Sequence, residues 1–317
     1  MQAPEFWQDR RLVARLLAPA GWAFAAGGWL RQLRAHPVVV PVPVLCVGNL
    51  VAGGAGKTPT VLALAEILQA RRPHILTRGY RGRLAGPVQV DAVRHTIADV
   101  GDEPLLLARR WPTWVSRDRV AGAQAAAAAG GRVILMDDGF QNPALAKTLS
   151  LLVVDAAQGI GNGYCIPAGP LREPVSRGLR RADAVVLIGG GELPFVWRGP
   201  VFRATVAPYD AARQWRGQRV VAFAGIGRPG KFFATLDALG ADVYARHAFA
   251  DHHVYTGQEI ERMAQDLPDG ASLVTTEKDH VRLPQEWQAR VAALPVRLQF
   301  AEAELVSGWL SQRLDRD

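Results

Sequence analysis

The sequence is poor in cysteine, with only Cys46 and Cys165 among its 317 residues. Two isolated cysteines do not make the clustered spacing of a zinc or iron–sulfur site, nor the set of bridges that staples small secreted domains. The cysteine content therefore predicts a protein of a reducing compartment, the cytoplasm being the default.

Acidic residues are outnumbered by basic ones, 29 to 37, which gives a net charge of +8. Such an excess favours an anionic partner: a nucleotide, a nucleic acid or an anionic membrane surface. No helix-turn-helix or zinc pattern is present, basic and aromatic residues do not interleave, and the excess charge is spread along the chain. We therefore expect no nucleic-acid partner.

The sequence also lacks an apolar run long enough to span a bilayer. The most apolar stretch, residues 16–30, has about fifteen residues of the ~20 that a spanning helix needs. Arginines flank it on both sides, which disfavours a signal peptide, and it carries Trp22 and Trp29. These features predict a helix lying in the membrane interface, residues 1–35. The alternative is a helix buried against the protein.

Beyond this segment, short apolar strands alternate with helical patterns. Such alternation predicts an α/β fold, a parallel sheet with helices on both faces. Residues 36–206 are predicted to form this core. A second strand–helix series begins near Gln218, so residues 207–317 are predicted to form a smaller α/β lobe.

A glycine-rich loop follows the first predicted strand of the core. Glycines let backbone N–H groups converge on phosphate oxygens, the lysine adds a charge, and the threonine hydroxyl can bind Mg²⁺. Val51 stands where the strict P-loop pattern has glycine. The loop nevertheless predicts a P-loop, with the nucleotide-binding residues Gly53, Gly54, Ala55, Gly56, Lys57, Thr58 and Pro59.

Two aspartates, Asp137 and Asp138, follow the apolar stretch 132–135. The carboxyl ends of parallel strands are where open α/β sheets bind ligands. Together with Thr58, either carboxylate is a candidate Mg²⁺ ligand, directly or through water. The alternative is that Asp-Asp-Gly serves only as a turn.

Two other classes of P-loop protein fit the sequence less well. Partitioning and metal-chaperone ATPases often carry a lysine just before the paired glycines, where this chain has Ala52. GTPases use Asn-Lys-x-Asp, whereas Thr276-Glu277-Lys278-Asp279 has its lysine one place too late. Both features favour an ATP-dependent phosphotransferase.

The motifs together resemble those of the tetraacyldisaccharide 4'-kinase family. They are spread over most of the chain, and their order is more specific than any one of them. The resemblance rests on Val47-Gly48-Asn49 through Lys57-Thr58-Pro59, Thr77-Arg78-Gly79-Tyr80, Gly101-Asp102-Glu103-Pro104, Asp137-Asp138-Gly139-Phe140-Gln141, Pro167-Ala168-Gly169-Pro170-Leu171-Arg172-Glu173, Asp251-His252-His253 and Thr275-Thr276-Glu277-Lys278-Asp279.

The resemblance implies that ATP phosphorylates the 4'-hydroxyl of an acylated glucosamine disaccharide 1-phosphate, a precursor of lipid A. It implies ATP and Mg²⁺ as cofactors and a monotopic protein on the cytoplasmic face of the inner membrane. A monomer is expected.

The resemblance also assigns roles. Asp102 is the expected base for the acceptor hydroxyl, with His252 as its partner, Lys57 on the transferred phosphate, and His253 as a substitute for His252. Without the resemblance, Asp102 reads as a helix N-cap. The remaining expected residues are Glu173 at the metal, Glu277 and Asp279 at the nucleotide, and Asn49, Arg78, Tyr80 and Arg172 at the substrate.

Overall fold

The computed structural model describes residues 4–9, 12–209 and 214–315. The N-terminal part holds a short 3-10 helix, Glu5–Trp7, and helix α1, Leu12–Leu33. The elements of the first half of the core follow: β1 (Val44–Gly48), α2 (Lys57–Ile67), a 3-10 helix (Gln69–Arg71), β2 (Pro73–Thr77), β3 (Val88–Gln89), α3 (Ile97–Val100), α4 (Asp102–Ala108), β4 (Thr113–Val115), α5 (Arg119–Ala128), β5 (Val133–Asp137) and β6 (Leu149–Asp155).

The rest of the chain completes this core and adds a second sheet. Its elements are α6 (Val175–Leu179), β7 (Ala184–Ile188), β8 (Val201–Pro208), β9 (Arg219–Ala224), α7 (Pro229–Ala238), β10 (Asp242–Ala248), α8 (Gly257–Gln265), β11 (Ser272–Thr276), α9 (Glu277–His280), α10 (Gln285–Gln288), β12 (Ala292–Leu294), β13 (Val296–Phe300) and α11 (Ala303–Leu314).

Within the described residues, nine strands form one large sheet in the order β13-β8-β7-β6-β1-β5-β2-β4-β3. The pairs from β8 to β4 are parallel, and only the edge strands β3 and β13 run antiparallel to their neighbours. Every residue of β6 is buried, as its apolar run 151–154 predicts for a sheet covered on both faces. The predicted α/β fold with a parallel sheet is confirmed.

Helices cover both faces of this sheet. On one face, α2, α11 and Leu107 of α4 share a core with β1, β5 and β6. On the other face, α5, α6 and Ala25 of α1 pack against the opposite sides of the same strands. This two-sided burial explains why the central strands are apolar along their whole length.

The second lobe contains a smaller parallel sheet in the order β10-β9-β11-β12. Helices α7 and α8 contribute to separate cores on its two faces, with Phe232 in one and Ile260 in the other. The sequence thus anticipates a second α/β lobe.

The final strand and helix differ from the predicted segment 207–317. Strand β13 pairs with β8 at the edge of the large sheet, and Val306, Leu310 and Leu314 of α11 join the core beside α2. The chain therefore returns to the first lobe after β12. An apolar strand and helix would fit either sheet, so the sequence pattern does not identify the sheet that they join.

Helix α1 presents different residues to the protein and to solvent. Its buried residues are small, namely Ala14, Ala18 and Gly21. Large apolar residues face solvent: Leu16 is 70% exposed and Trp22 is 68% exposed. No helix in the described ranges is long and apolar enough to cross a membrane.

Candidate active site

The glycine-rich loop links the carboxyl end of β1 to the first residue of α2, Lys57. Gly56 is the N-cap and has φ +84°, a conformation that glycine adopts without strain. The predicted nucleotide residues 53–59 form the end of this loop and the first turn of the helix. Backbone N–H groups and the positive helix terminus at this position make an anion site.

The Lys57 ammonium lies among groups that hold it in place. It donates to Asn49 Oδ1 at 3.3 Å and lies 3.7 Å from Asp138 Oδ1. Asn49 was expected at the substrate, but its side chain is fully buried and accepts the lysine. In this structure the contact of Asn49 is therefore with Lys57.

The two strand-end aspartates occupy different environments. Asp137 ends β5 opposite Val47 of β1 and is buried, whereas Asp138 begins the following turn with φ +51°. Burial, with the charges of Glu103 and Asp138, raises the pKa of Asp137 to about 7. Burial also acts to raise the pKa of Asp138, but the charges of Lys57 and Arg172 outweigh it and lower that pKa.

Asp137 has the property expected of a Mg²⁺ ligand. Its Oδ1 atom is buried and has no hydrogen-bond partner among the described residues. A buried, unpaired carboxylate oxygen is costly unless a cation or donor completes it. In the same described part of the chain, no cluster of three His, Cys, Asp or Glu residues suits a metal.

Arg172 and Glu173 lie beside the aspartates but differ in what they contact. Arg172 donates to Asp138 Oδ1 at 2.6 Å and is partly exposed. Glu173, expected at the metal, is buried and has both oxygens engaged, one by Gln141 at 3.0 Å and the other by Arg181 at 2.5 Å. These contacts make Glu173 a partner of Arg181 in this conformation.

The expected pair of Asp102 and His252 comes together from the two lobes. His252 Nδ1 lies 2.9 Å from Asp102 Oδ2, although 150 residues separate them in sequence. His253 instead contacts Glu259, at 3.1 Å, so of the two histidines His252 meets the aspartate. The N-cap of α4 is Gly101, which leaves Oδ2 of Asp102 for these contacts across the lobes.

Gly101 is required by the close approach of the chain at this point. It has φ +90°, and a Cβ atom there would lie 2.4 Å from the carbonyl oxygen of Tyr80. The Tyr80 ring in turn makes an edge contact with His252, with centroids 6.2 Å apart. Tyr80 therefore lies beside the pair of Asp102 and His252, and both Tyr80 and Arg78 are exposed.

Arg282 also binds the Asp102 carboxylate, and the sequence did not predict it. Its Nε donates to Asp102 Oδ2 at 2.8 Å, and its Nη1 donates to Asp279 at 2.9 Å. Burial acts to raise the pKa of Asp102, but the hydrogen bond to His252 and the charge of Arg282 hold it well below its usual range. Arg282 lies three residues after a quoted motif, and no spacing distinguishes it from a surface arginine.

A second ion pair joins the lobes next to this one. Lys278 Nζ lies 2.7 Å from Glu103 Oε1. The charge of Lys278, and to a smaller extent that of Lys57, lowers the pKa of Glu103. The charge of Glu103 in turn raises the pKa of Asp137. The charge of Glu103 therefore lies between the pair of Asp102 and His252 on one side and Asp137 and Lys57 on the other.

Glu277 and Asp279, expected at the nucleotide, are engaged within the protein. Glu277 bonds Arg110 at 2.8 Å and the backbone N–H of Val296 at 3.1 Å. Asp279 has no exposed surface and accepts from Gly225, Tyr255, Arg282 and Thr276. Glu277 therefore links the second lobe to Arg110 and β13 of the first, whereas Asp279 is bonded within the second lobe and is inaccessible to a nucleotide here.

The phosphate loop at the end of β1, with an aspartate at the end of the adjacent strand, defines a P-loop kinase fold. The chain matches the family described as Tetraacyldisaccharide-1-P 4'-kinase over residues 13–315. It therefore belongs to that family. It is an ATP-dependent kinase of the lipid A disaccharide precursor.

Similar proteins agree with this membership along the whole chain. The tetraacyldisaccharide 4'-kinase of Rhodospirillum centenum is 52% identical and covers 99% of this chain and 97% of its own length. That of Methylorubrum extorquens strain PA1 is 52% identical, with 95% of each covered. The crystal structure of LpxK from Aquifex aeolicus in complex with ATP is 28% identical, with a TM-score of 0.80 and coverage of 96% and 100%.

Proposed function

We propose that the chain phosphorylates the 4'-hydroxyl of its disaccharide acceptor with Asp102 as the proton acceptor and His252 as its orienting partner. The observation that carries this assignment is the 2.9 Å contact between His252 Nδ1 and Asp102 Oδ2, made across the two lobes. Its electrostatic connection to Asp137 and Lys57 through Glu103 supports a single site for both substrates.

On the nucleotide side, the backbone N–H groups of residues 53–58 bind the phosphates of ATP. Lys57 neutralises charge on the transferred phosphoryl group, and its contacts with Asn49 and Asp138 hold its ammonium ready. Thr58 and Asp137 would hold Mg²⁺, with Asp138 as the alternative carboxylate. The ion would neutralise charge on the phosphates.

On the acceptor side, the 4'-oxygen forms a bond to the γ-phosphorus while the bond to the ADP oxygen breaks. The hydroxyl proton passes to the Asp102 carboxylate. A carboxylate of low pKa is a weak base, but a loose transition state depends mainly on positioning and charge stabilisation. His252 and Arg282, both bonded to Oδ2, fix the carboxylate for this step.

Arg78, Tyr80 and Arg172 are assigned to the acceptor. Arg78 is exposed, and bidentate geometry suits arginine to a sugar phosphate. Its charge, after the larger effect of burial, helps to lower the pKa of the Arg119 guanidinium to about 10. The exposed charge of Arg78 would attract an anion, and the acceptor's 1-phosphate is such an anion.

The outward face of α1 supports a monotopic protein on the cytoplasmic face of the inner membrane. Exposed apolar side chains and flanking arginines are what an interfacial helix needs. The lipid acceptor would reach the site from that surface. We assign a monomer, as nothing in this mechanism needs a second chain.

The test is transfer of labelled γ-phosphate from ATP to four acceptors: acylated disaccharide 1-phosphate, the free sugar, a protein and water. We expect label in the acylated disaccharide alone, and in its 4'-position after chemical mapping. Equal labelling of water or protein would contradict the proposal.

A further inference from the structure

We propose that the loop of residues 162–172, called here the bridging loop, couples the position of the N-terminal segment to the conformation of the P-loop. Asn162 positions the bridging loop. The proposal rests on ATP binding at the P-loop. It concerns Asn162 and Trp7, which lie outside the site described above. The bridging loop contacts the P-loop at one end and residues 4–9 at the other.

At its C-terminal end, the bridging loop pairs with the P-loop as a short antiparallel strand would. The backbone N–H of Ala52 donates to Pro170 O at 2.7 Å, and that of Arg172 donates to Leu50 O at 2.7 Å. Val51 and Leu171 form a β-bridge between these two bonds. Residues 50–52, which lead into the nucleotide-binding residues 53–58, are therefore held in position by the bridging loop.

At its N-terminal end, Asn162 fastens the loop to the start of the chain. Its Nδ2 group donates to Phe6 O at 2.9 Å, Asp9 O at 3.1 Å and Ala168 O at 2.9 Å. Its backbone N–H donates to Trp7 O at 2.8 Å. One buried side chain thus ties residues 6–9 to the middle of the bridging loop.

Neighbouring contacts leave the loop little freedom to shift alone. Trp7 Nε1 donates to Pro167 O at 3.0 Å. A Cβ atom on Gly21 of α1 would lie 2.8 Å from Cys165 O, and one on Gly169 would lie 2.1 Å from Asn162 Oδ1. The N-terminal segment, α1 and the bridging loop are therefore in close contact up to the residues that pair with the P-loop.

The physical consequence follows from where the bonds are. Phosphate binding by a P-loop requires its backbone N–H groups to converge, so a displaced Pro170–Arg172 pairing would weaken nucleotide binding. The same displacement would move Arg172 away from Asp138. Asn162 bonds backbone groups remote from the phosphates, so its role is to position the loop.

Two variants test the coupling. Asn162→Asp keeps the size of the side chain but sets a carboxylate against three carbonyl oxygens. Trp7→Phe removes the Nε1–H bond to Pro167 together with part of the ring, and it keeps the protein testable if Asn162→Asp fails to fold. Trp309→Phe, on α11 at the other face of the large sheet, is the matched control for a tryptophan change.

The readout is equilibrium binding of a fluorescent, non-hydrolysable ATP analogue with Mg²⁺, in the absence of acceptor and membrane. We expect Trp7→Phe to raise Kd by up to about fivefold, the change that follows if the whole free energy of one ordinary hydrogen bond is coupled to nucleotide binding, and Asn162→Asp to raise it more. Trp309→Phe should leave Kd unchanged. Unchanged Kd in a folded Asn162→Asp protein would overturn the coupling.

A second readout separates coupling from simple stabilisation. Because coupling between two sites is reciprocal, the analogue should slow hydrogen exchange of the amides in residues 5–9 of the wild-type protein. That protection should vanish in Asn162→Asp. Protection absent from the wild type would also overturn the proposal. Absence of any saturable analogue binding to the wild type would instead contradict the P-loop assignment itself.

Discussion

The two halves of the active site are built in different ways. The phosphate half is one continuous loop between β1 and α2, and the groups that we propose to bind phosphate are mostly backbone N–H groups. The acceptor half joins Asp102, His252 and Arg282 from separate elements in two lobes. A site made by a local turn is carried by its own sequence, whereas a site made between lobes depends on how they pack.

Removal of the charge in the phosphate half should have the largest effect. We expect Lys57→Ala to lower kcat by ~10²–10³ or more, because an electrostatic group at the transferred phosphate is lost. Steady-state kinetics with the acylated disaccharide measure it, and circular dichroism checks the fold. A folded variant with near-normal turnover would remove Lys57 from the mechanism.

Removal of the base in the acceptor half should cost about as much as losing one proton-transfer group, ~10² in kcat. Asp102→Asn makes this change, and it also leaves Arg282 facing a neutral amide, so some loss of melting temperature is expected. Adding His252→Ala should cost little more, because groups that act as one unit are not additive.

Asp99→Asn is the matched control for this experiment. Asp99 lies three residues upstream and bonds Thr96 and Arg83 in the capping box of α3, away from His252. It should lower stability while kcat stays near normal. Wild-type kcat in Asp102→Asn would place the base elsewhere.

These differences explain what could be predicted from sequence. The P-loop, the strand-end aspartates and the parallel sheet were predicted, because each depends on local pattern. The pairing of Asp102 with His252 came from the family resemblance, since the bare sequence favours an N-cap at Asp102. The burial of Asp279 and the contacts of Glu173 were not predictable, because a motif does not tell which neighbours occupy its carboxylates.

Arg282 and β13 illustrate the remaining limit. Arg282 reaches Asp102 only because α9 and α4 meet between the lobes. Strand β13 fits the edge of either sheet by its apolar pattern, yet it pairs with β8. Both depend on tertiary contacts between distant segments.

The pH dependence of Mg²⁺–nucleotide binding should distinguish the two halves further. Asp137 has a pKa raised to about 7 and must lose its proton to bind a metal, whereas the pKa of Asp102 is lowered and its carboxylate stays ionised. As pH rises toward 7, the affinity for Mg²⁺–nucleotide should therefore increase by up to about tenfold per pH unit, and above pH 7 it should level off. Isothermal titration from pH 6 to 8 measures this rise.

Asp137→Asn should remove that dependence, and it should also change stability with pH. The folded wild-type protein keeps a proton on Asp137 that the unfolded chain releases above its ordinary pKa. Stability of the nucleotide-free protein is therefore lost as pH rises through about 7. Between the ordinary pKa of an aspartate and about pH 7, the melting temperature of Asp137→Asn should therefore fall less than that of the wild type. Identical pH profiles for variant and wild type would mean that another group titrates.

The smallest expected effect is on membrane binding, and it differs between the two faces of α1. Trp22 is 68% exposed, so Trp22→Ala should weaken binding to anionic vesicles several-fold with little change in melting temperature. Gly21, its neighbour, faces the protein, and a Cβ there would lie 2.8 Å from Cys165 O. Gly21→Ala should therefore lower the melting temperature, because a backbone carbonyl must shift, while the outward face keeps its apolar area. Vesicle sedimentation and thermal melts on both variants measure the contrast. If Trp22→Ala binds vesicles as the wild type does, the membrane surface lies on another part of the protein.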